Sequence, residues 1–234
     1  MKNNQFNGLA LKINTTNKNM KLRELEQKML VCTKCSLAKG RINVVPGEGS
    51  PKADILLIGE GPGKNEDEQG RPFVGAAGKF LTELIESIGM TRDDVYIANV
   101  VKCRPPNNRD PLPDEVETCW PWLQQQIELI KPKLIVLMGR HSLARFIPSA
   151  KISQDHGRVL RKEFPPLGKV IFFPCYHPAA ALYNGSLREI LLKDFKKIPR
   201  IIELVKSGKL EKTSAEDSAS ENSPEETVKQ STLF

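Results

Sequence analysis

Four short apolar runs constrain this chain more than any other feature: "ADILLIG" at 53–59, "VYIANVV" at 95–101, "KLIVLMG" at 133–139 and "VIFFPC" at 170–175. They are rich in β-branched residues and lack strict alternation. That is the pattern of strands buried on both faces, as in a parallel sheet covered by helices on each side. Helical patterns fill the intervals at 75–89, 113–130, 140–147 and 186–208, and another at 21–31 puts Leu22, Leu25, Met29 and Leu30 on one face. Pro121 and Pro199 should kink or divide their helices. The expected fold is α/β, a three-layer α/β/α domain around a central, mostly four-stranded parallel sheet. Ligands of such sheets bind beyond the carboxyl ends of the strands, where the strand order reverses. The residues to watch are therefore Glu60 onward, Asn99 to Arg104, Gly139 to His141 and Cys175 to His177.

The flanks read differently. Residues 1–20 are Asn- and Lys-rich without periodicity, and 207–229 are mostly Ser, Glu and Lys with little to pack. The expected organisation is a disordered extension over 1–20, one domain over 21–206 and a disordered acidic tail over 207–234. From Glu211 onward there are six acids against two lysines, so a chain of net charge +7 carries +11 on residues 1–210. A basic body suggests a polyanionic partner, although a thermophile's surface can be lysine-rich without one. No apolar run reaches 18 residues and the N-terminus has no hydrophobic signal, so a cytoplasmic monomer away from membranes is expected.

The stretch "GEGPGKNEDEQGRPF" at 59–73 imitates a phosphate loop but fails the pattern. Counting back five from Gly63 reaches Ile58, the residue after Lys64 is Asn65, and four carboxylates in the stretch would repel a triphosphate. An acidic, glycine-bent loop after a buried strand needs another purpose.

Five cysteines do not make a disulfide framework in a reducing compartment. Cys32 and Cys35 form a CxxC that can aim two thiolates at one metal ion or cluster, and Cys103 and Cys119 would complete the set from elsewhere in the fold. Zinc and an iron–sulfur cluster remain rivals on spacing alone, and a redox pair with three core cysteines is the plainer alternative. Cys175, within "FFPCYHP", is better explained by packing.

Taken together, the CxxC, "GEGPGKNEDEQGRPFVGAAGKFL", "NVVKCRPPNNRDPLPDE" with Cys119 beyond it, and "HPAAALY" resemble the family 4 uracil-DNA glycosylases over roughly 22–205. The resemblance implies a [4Fe-4S] cluster on Cys32, Cys35, Cys103 and Cys119. It also implies hydrolysis of the bond between uracil and deoxyribose in DNA, leaving an abasic site. Phe73 matches the position whose ring stacks on uracil, and Asn99 the amide that reads the base edge. Glu60, Gly61 and Pro62 supply contacts to the base. His177 matches the histidine facing uracil O2, where charge grows as the bond breaks. Gly61 stands where better-known superfamily members carry aspartate, so Glu60, supported by Glu66 or Asp67, is expected to place the water. Lys102, Arg104, Arg109 and Arg140 are candidate DNA contacts near strand ends, and Leu182 is a candidate wedge for the vacated stack. His141 and His156 are expected to have no catalytic part. At the C-terminus, Gln230, Leu233 and Phe234 resemble the short peptide by which repair proteins bind the DNA sliding clamp. The rival reading from another class is a non-catalytic metal-containing module that binds nucleic acid.

Overall fold

The computed structural model describes residues 18–210, which form a six-stranded sheet between two helical layers. Residues 1–17 of the expected N-terminal extension, most of the acidic tail, and Gln230, Leu233 and Phe234 lie outside the described residues; residues 18–20, expected to be disordered, instead form the first turn of a helix that runs to 30.

All four expected strands form, at β2 (Ile55–Gly59), β3 (Tyr96–Asn99), β4 (Leu134–Met138) and β6 (Lys169–Cys175), and they pair in parallel in the order β3-β2-β4-β6. Two short antiparallel strands extend the sheet: β1 (Glu48–Gly49) flanks β3, and β5 (Leu160–Glu163) flanks β6. The apolar-run criterion misses them because an edge strand needs no core-filling sequence; β5 reads Leu-Arg-Lys-Glu.

Both faces of the parallel strands are buried, and the residues alternate between two cores. Leu56 and Ile58 pack with Leu22, Leu25 and Met29 of α1 (18–30), Leu123 and Ile127 of α4 (Pro113–Ile130), and Leu143 and Phe146 of α5 (Arg140–Phe146). Ile55 and Leu57 pack with Phe80, Leu81 and Leu84 of α3 (Ala76–Glu86), Leu191 and Phe195 of α8 (Ser186–Phe195), and Ile198 and Ile201 of α9 (Ile198–Lys206). Three short helices complete the fold: α2 (Lys64–Gln69), α6 (Ile152–Asp155) and α7 (Ala180–Tyr183). The pattern expected at 186–208 divides into α8 and α9, with Pro199 in the first turn of α9, where its missing N–H costs nothing. α4, in contrast, runs on through Pro121.

The chain leaves β2 toward β3 on one side and returns to β4 on the other. Strand order therefore reverses between β2 and β4, and the ligand crevice is expected beyond their carboxyl ends.

Candidate active site and cysteine site

A cleft of about 320 Å³ opens at that point, walled by Glu60, Gly61, Phe73, Asn99 and His177. Larger hollows of about 620 and 550 Å³ lie among Pro132, Lys169 and Val170. Those hollows hold none of the buried polar side chains, whereas convergent polar groups mark the smaller cleft as the site.

Phe73 is held in a conformation that few residues adopt, with φ at 52°. Such backbone persists only where the surroundings over-determine it. Arg92 donates to the carbonyls of Pro72 at 2.7 Å and Phe73 at 3.1 Å. Gly78 passes so close that an added Cβ would lie 1.9 Å from the Phe73 carbonyl oxygen. On the other side, a Cβ on Gly59 would lie 2.6 Å from the Phe73 ring and 2.5 Å from Asn99 Oδ1. Gly59 and Gly78 are thus site residues that the sequence reading missed; a strand-ending glycine and the glycines of "GAAG" were their only signals.

Glu66, expected to support catalysis, lines the cleft and also holds this loop. Its carboxylate accepts the N–H groups of Val74 and Gly75, each at 2.8 Å, and of Gly63 at 3.1 Å. Asp67 is buried and accepts the N–H of Ile42 at 2.9 Å and of Asn43 at 3.2 Å, so it too is structural. Glu66 satisfies the backbone donors of the strained turn that follows Phe73, and Asp67 those of the 42–43 loop.

Asn99 ends β3 with its Oδ1 buried and without a hydrogen-bond partner. Buried acceptors are nearly always satisfied, so an orphan on the cleft wall is a place for a ligand donor.

His177 stacks on Phe73, with ring centroids 5.5 Å apart and an interplanar angle of 28°. Burial pushes its pKa down to about 4, against a weaker upward pull from Glu66. The sequence His-Pro-Ala fixes the tautomer. Pro178 has no N–H, and the Ala179 N–H donates to His177 Nδ1 at 3.1 Å. The ring proton of the neutral imidazole must then sit on Nε2. His177 is a neutral hydrogen-bond donor.

The candidate DNA contacts separate. Lys102 is fully buried and donates to the Asn99 carbonyl at 2.9 Å and Gln126 Oε1 at 2.6 Å, so it cannot reach a phosphate. Burial pushes its pKa down to about 8, against the opposing influence of Cys119 and Cys103. Lys102 is a prop beneath Asn99. Arg109 forks onto the buried Glu115 at 2.7 and 2.9 Å, stapling the 104–112 loop to the start of α4. Arg140 reaches Asp110 at 2.9 Å on the surface, and Arg104 donates to Asn108 at 2.8 Å. Leu182 on α7 is 50% exposed and its neighbour Tyr183 is 92% exposed, a pair of bare apolar side chains beside the His177 turn.

Two expectations about histidine divide as well. His156 pairs with the buried Asp194 at 2.7 Å, a structural contact. His141 does not stand apart as expected: its Nε2 is 3.7 Å from the carboxylate of Glu60.

Cys32, Cys35, Cys103 and Cys119 line one small void with Met29 and Trp122, on the α1–α4 side of the sheet. Cys175 is fully buried in the other core, as packing requires. The donor set is four thiols, two of them already served by N–H groups: Arg41 donates to Cys103 Sγ and the Lys102 N–H to Cys119 Sγ, each at 3.3 Å. Among the described residues no three of these sulfurs come within 4.8 Å of one another. A tetrahedral zinc ion with bonds of about 2.3 Å would draw four sulfurs to roughly 3.8 Å apart. Four cysteines gathered around one void are nonetheless a donor set that suits a thiolate-bound metal centre.

The family model described as the uracil DNA glycosylase superfamily matches residues 46–202. A type-4 uracil-DNA glycosylase of Sulfurisphaera tokodaii is 52% identical over 184 residues, 76% of this chain and 83% of that one. Those of Archaeoglobus fulgidus and Thermotoga maritima are 50% and 45% identical, each over 76% of this chain and over 91% and 93% of their own.

Proposed function

This chain belongs to the uracil-DNA glycosylase superfamily and, within it, to the type-4 group, and we propose that the cleft beyond β2 and β4 is where it excises uracil from DNA. It is a DNA repair hydrolase of N-glycosyl bonds. The single observation that carries the assignment of the cleft is the convergence of an orphaned Asn99 Oδ1, a Phe73 ring held on strained backbone and a neutral Nε2–H donor on His177.

A base inside a duplex is out of reach, so the target nucleotide is flipped at a cost of roughly a few kcal/mol. Leu182, with Tyr183 beside it, fills the gap that the base leaves. Phe73 stacks on the ring, and Asn99 Oδ1 accepts uracil N3–H. Cytosine carries no proton at N3, which leaves the same oxygen unsatisfied. Gly61, without a side chain, and Pro62 let the backbone approach the base, while Glu60 positions the attacking water on the sugar side. His177 donates Nε2–H to uracil O2 as the glycosidic electrons move onto the base. A neutral donor suits this task because it stabilises the growing charge without transferring its proton beforehand. Arg104 and Arg140 grip the flanking phosphates, Arg140 by exchanging Asp110 for DNA.

The four cysteine thiolates Cys32, Cys35, Cys103 and Cys119 are the residues that would hold an iron–sulfur cluster. When bound, it supplies a cross-link rather than a reaction step, joining the loop after α1, the end of β3 and α4. Among the described residues no helix is long and apolar enough to cross a membrane. In the tail, Gln230, Leu233 and Phe234 serve as a sliding-clamp peptide; deletion of 230–234 should abolish clamp binding and leave excision intact, and unchanged clamp binding would sink that part.

An oligonucleotide with a single deoxyuridine tests the central reading. Alkali-sensitive scission at that position is expected from wild type. Scission unaltered in both Asn99→Ala and Phe73→Ala would remove the cleft from the reaction, and its absence in wild type would return the chain to a binding module.

A further inference from the structure

Three segments leaving the same edge of the sheet meet just outside the cleft. They are the loop after β2 with Glu60, the 104–112 loop with Asp110, and the first turn of α5 with Arg140 and His141. His141 Nε2 lies 3.2 Å from Asp110 Oδ2 and 3.7 Å from Glu60 Oε2. Two acids and a histidine with their ligand atoms within 4.8 Å could hold a metal ion. A cation is already there, however: Arg140 Nε donates to His141 Nε2 at 2.8 Å and Arg140 Nη2 to Asp110 Oδ2 at 2.9 Å. The guanidinium takes the position an ion would need.

We propose that His141 is a positioning residue for Glu60, holding that carboxylate beside the cleft and offsetting the repulsion of Asp110. The proposal rests on the reading that Glu60 places the water. Glu60 is the more buried acid, about 29% exposed against 58% for Asp110, and it has no other side-chain partner near the cleft mouth among the described residues. Without a neighbour at that spot, a flexible glutamate at the end of β2 is free to turn to solvent. The charged groups facing Glu60 are Asp110 from the loop and Arg140 and His141 from α5.

The signs of these influences make the proposal testable. Burial raises the pKa of Glu60, His141 lowers it, Asp110 raises it and Arg140 lowers it. Removing His141 must therefore move the acid limb set by Glu60 to higher pH, and removing the charge of Asp110 must move it to lower pH. Single-turnover excision from a deoxyuridine oligonucleotide would be followed from pH 5 to 8 in the cluster-loaded full chain, for wild type, E60Q, H141A, H141Q and D110N. His141→Ala and His141→Gln should slow the reaction roughly tenfold at neutral pH, less than the loss of 100-fold or more expected on removing a positioned acid–base group. Half-saturation by DNA should stay unchanged, and the acid limb should move up in both His141 variants and down in D110N. Thermal melts identify any variant that fails to fold, and H141Q keeps the size of the side chain. Full activity in E60Q would overturn the role of Glu60 and this proposal with it. Loss of activity in E60Q, with the limbs of both His141 variants and D110N lying on the wild-type curve, would overturn this proposal alone.

Discussion

Replacing His177 by alanine separates its two properties, a proton it does not carry and a hydrogen bond it makes. Burial holds its pKa at about 4, against 6.5 for an exposed histidine. Between those values the unfolded chain binds a proton that the folded chain refuses, so stability falls as the pH drops through that window. For a pKa of 6.5 unfolded and about 4 folded, lowering the pH from 7 to 5 costs up to about 2 kcal/mol through this one residue. Denaturant unfolding at pH 7 and pH 5 should thus show a loss in wild type that exceeds the loss in His177→Ala by about that amount. The cost of the small cavity left beside Phe73 is the same at both pH values, and any acid effect on the cysteine site is the same in both proteins, so each cancels in the double difference. Kinetics supplies the second half. Loss of the Nε2–H donor should slow single-turnover excision at pH 7 by roughly 100- to 1000-fold, equivalent to about 2.7–4 kcal/mol. Because the ring is already neutral, its contribution should persist unchanged from pH 7 to pH 5. An acid limb near 6.5 that disappears in His177→Ala, together with equal stability losses in the two proteins, would refute the neutral-donor reasoning.

Other perturbations follow from the same packing. Gly78→Ala drives a methyl into the Phe73 carbonyl and should cost about 1–3 kcal/mol in thermal or denaturant unfolding, with excision falling as the aromatic turn shifts. Lys102→Ala should lower stability by about 1–3 kcal/mol, since it strips a buried Gln126 and the Asn99 carbonyl of their donor, yet leave the salt dependence of DNA binding untouched. Arg104→Ala should do the reverse, flattening the slope of log affinity against log salt by roughly one while melting like wild type. Cys119→Ser should abolish iron–sulfur absorbance and make the 104–112 loop sensitive to protease, whereas Cys175→Ala, in the opposite core, should keep the absorbance.

The sequence alone determined the parallel sheet, because strands buried on both faces must be continuously apolar and few other folds want four such runs. It also located the cleft: glycines, an asparagine and a histidine at strand ends have no packing reason to be there together. It could not determine what each polar group touches. Lys102 lies one residue from a cysteine and three from Asn99, a spacing that fits a phosphate contact as well as a buried prop; only the position of Gln126, 24 residues on, decides between them. Glu60 and Glu66 look equivalent in a loop of acids. The tertiary structure gives Glu66 three backbone donors and sets Glu60 against His141 and Asp110. The physical reason is one of range. Apolar periodicity is a local property that each segment carries with it, whereas hydrogen bonds and charge pairs act over a few ångströms between groups far apart in sequence, and these meet only when the chain has closed.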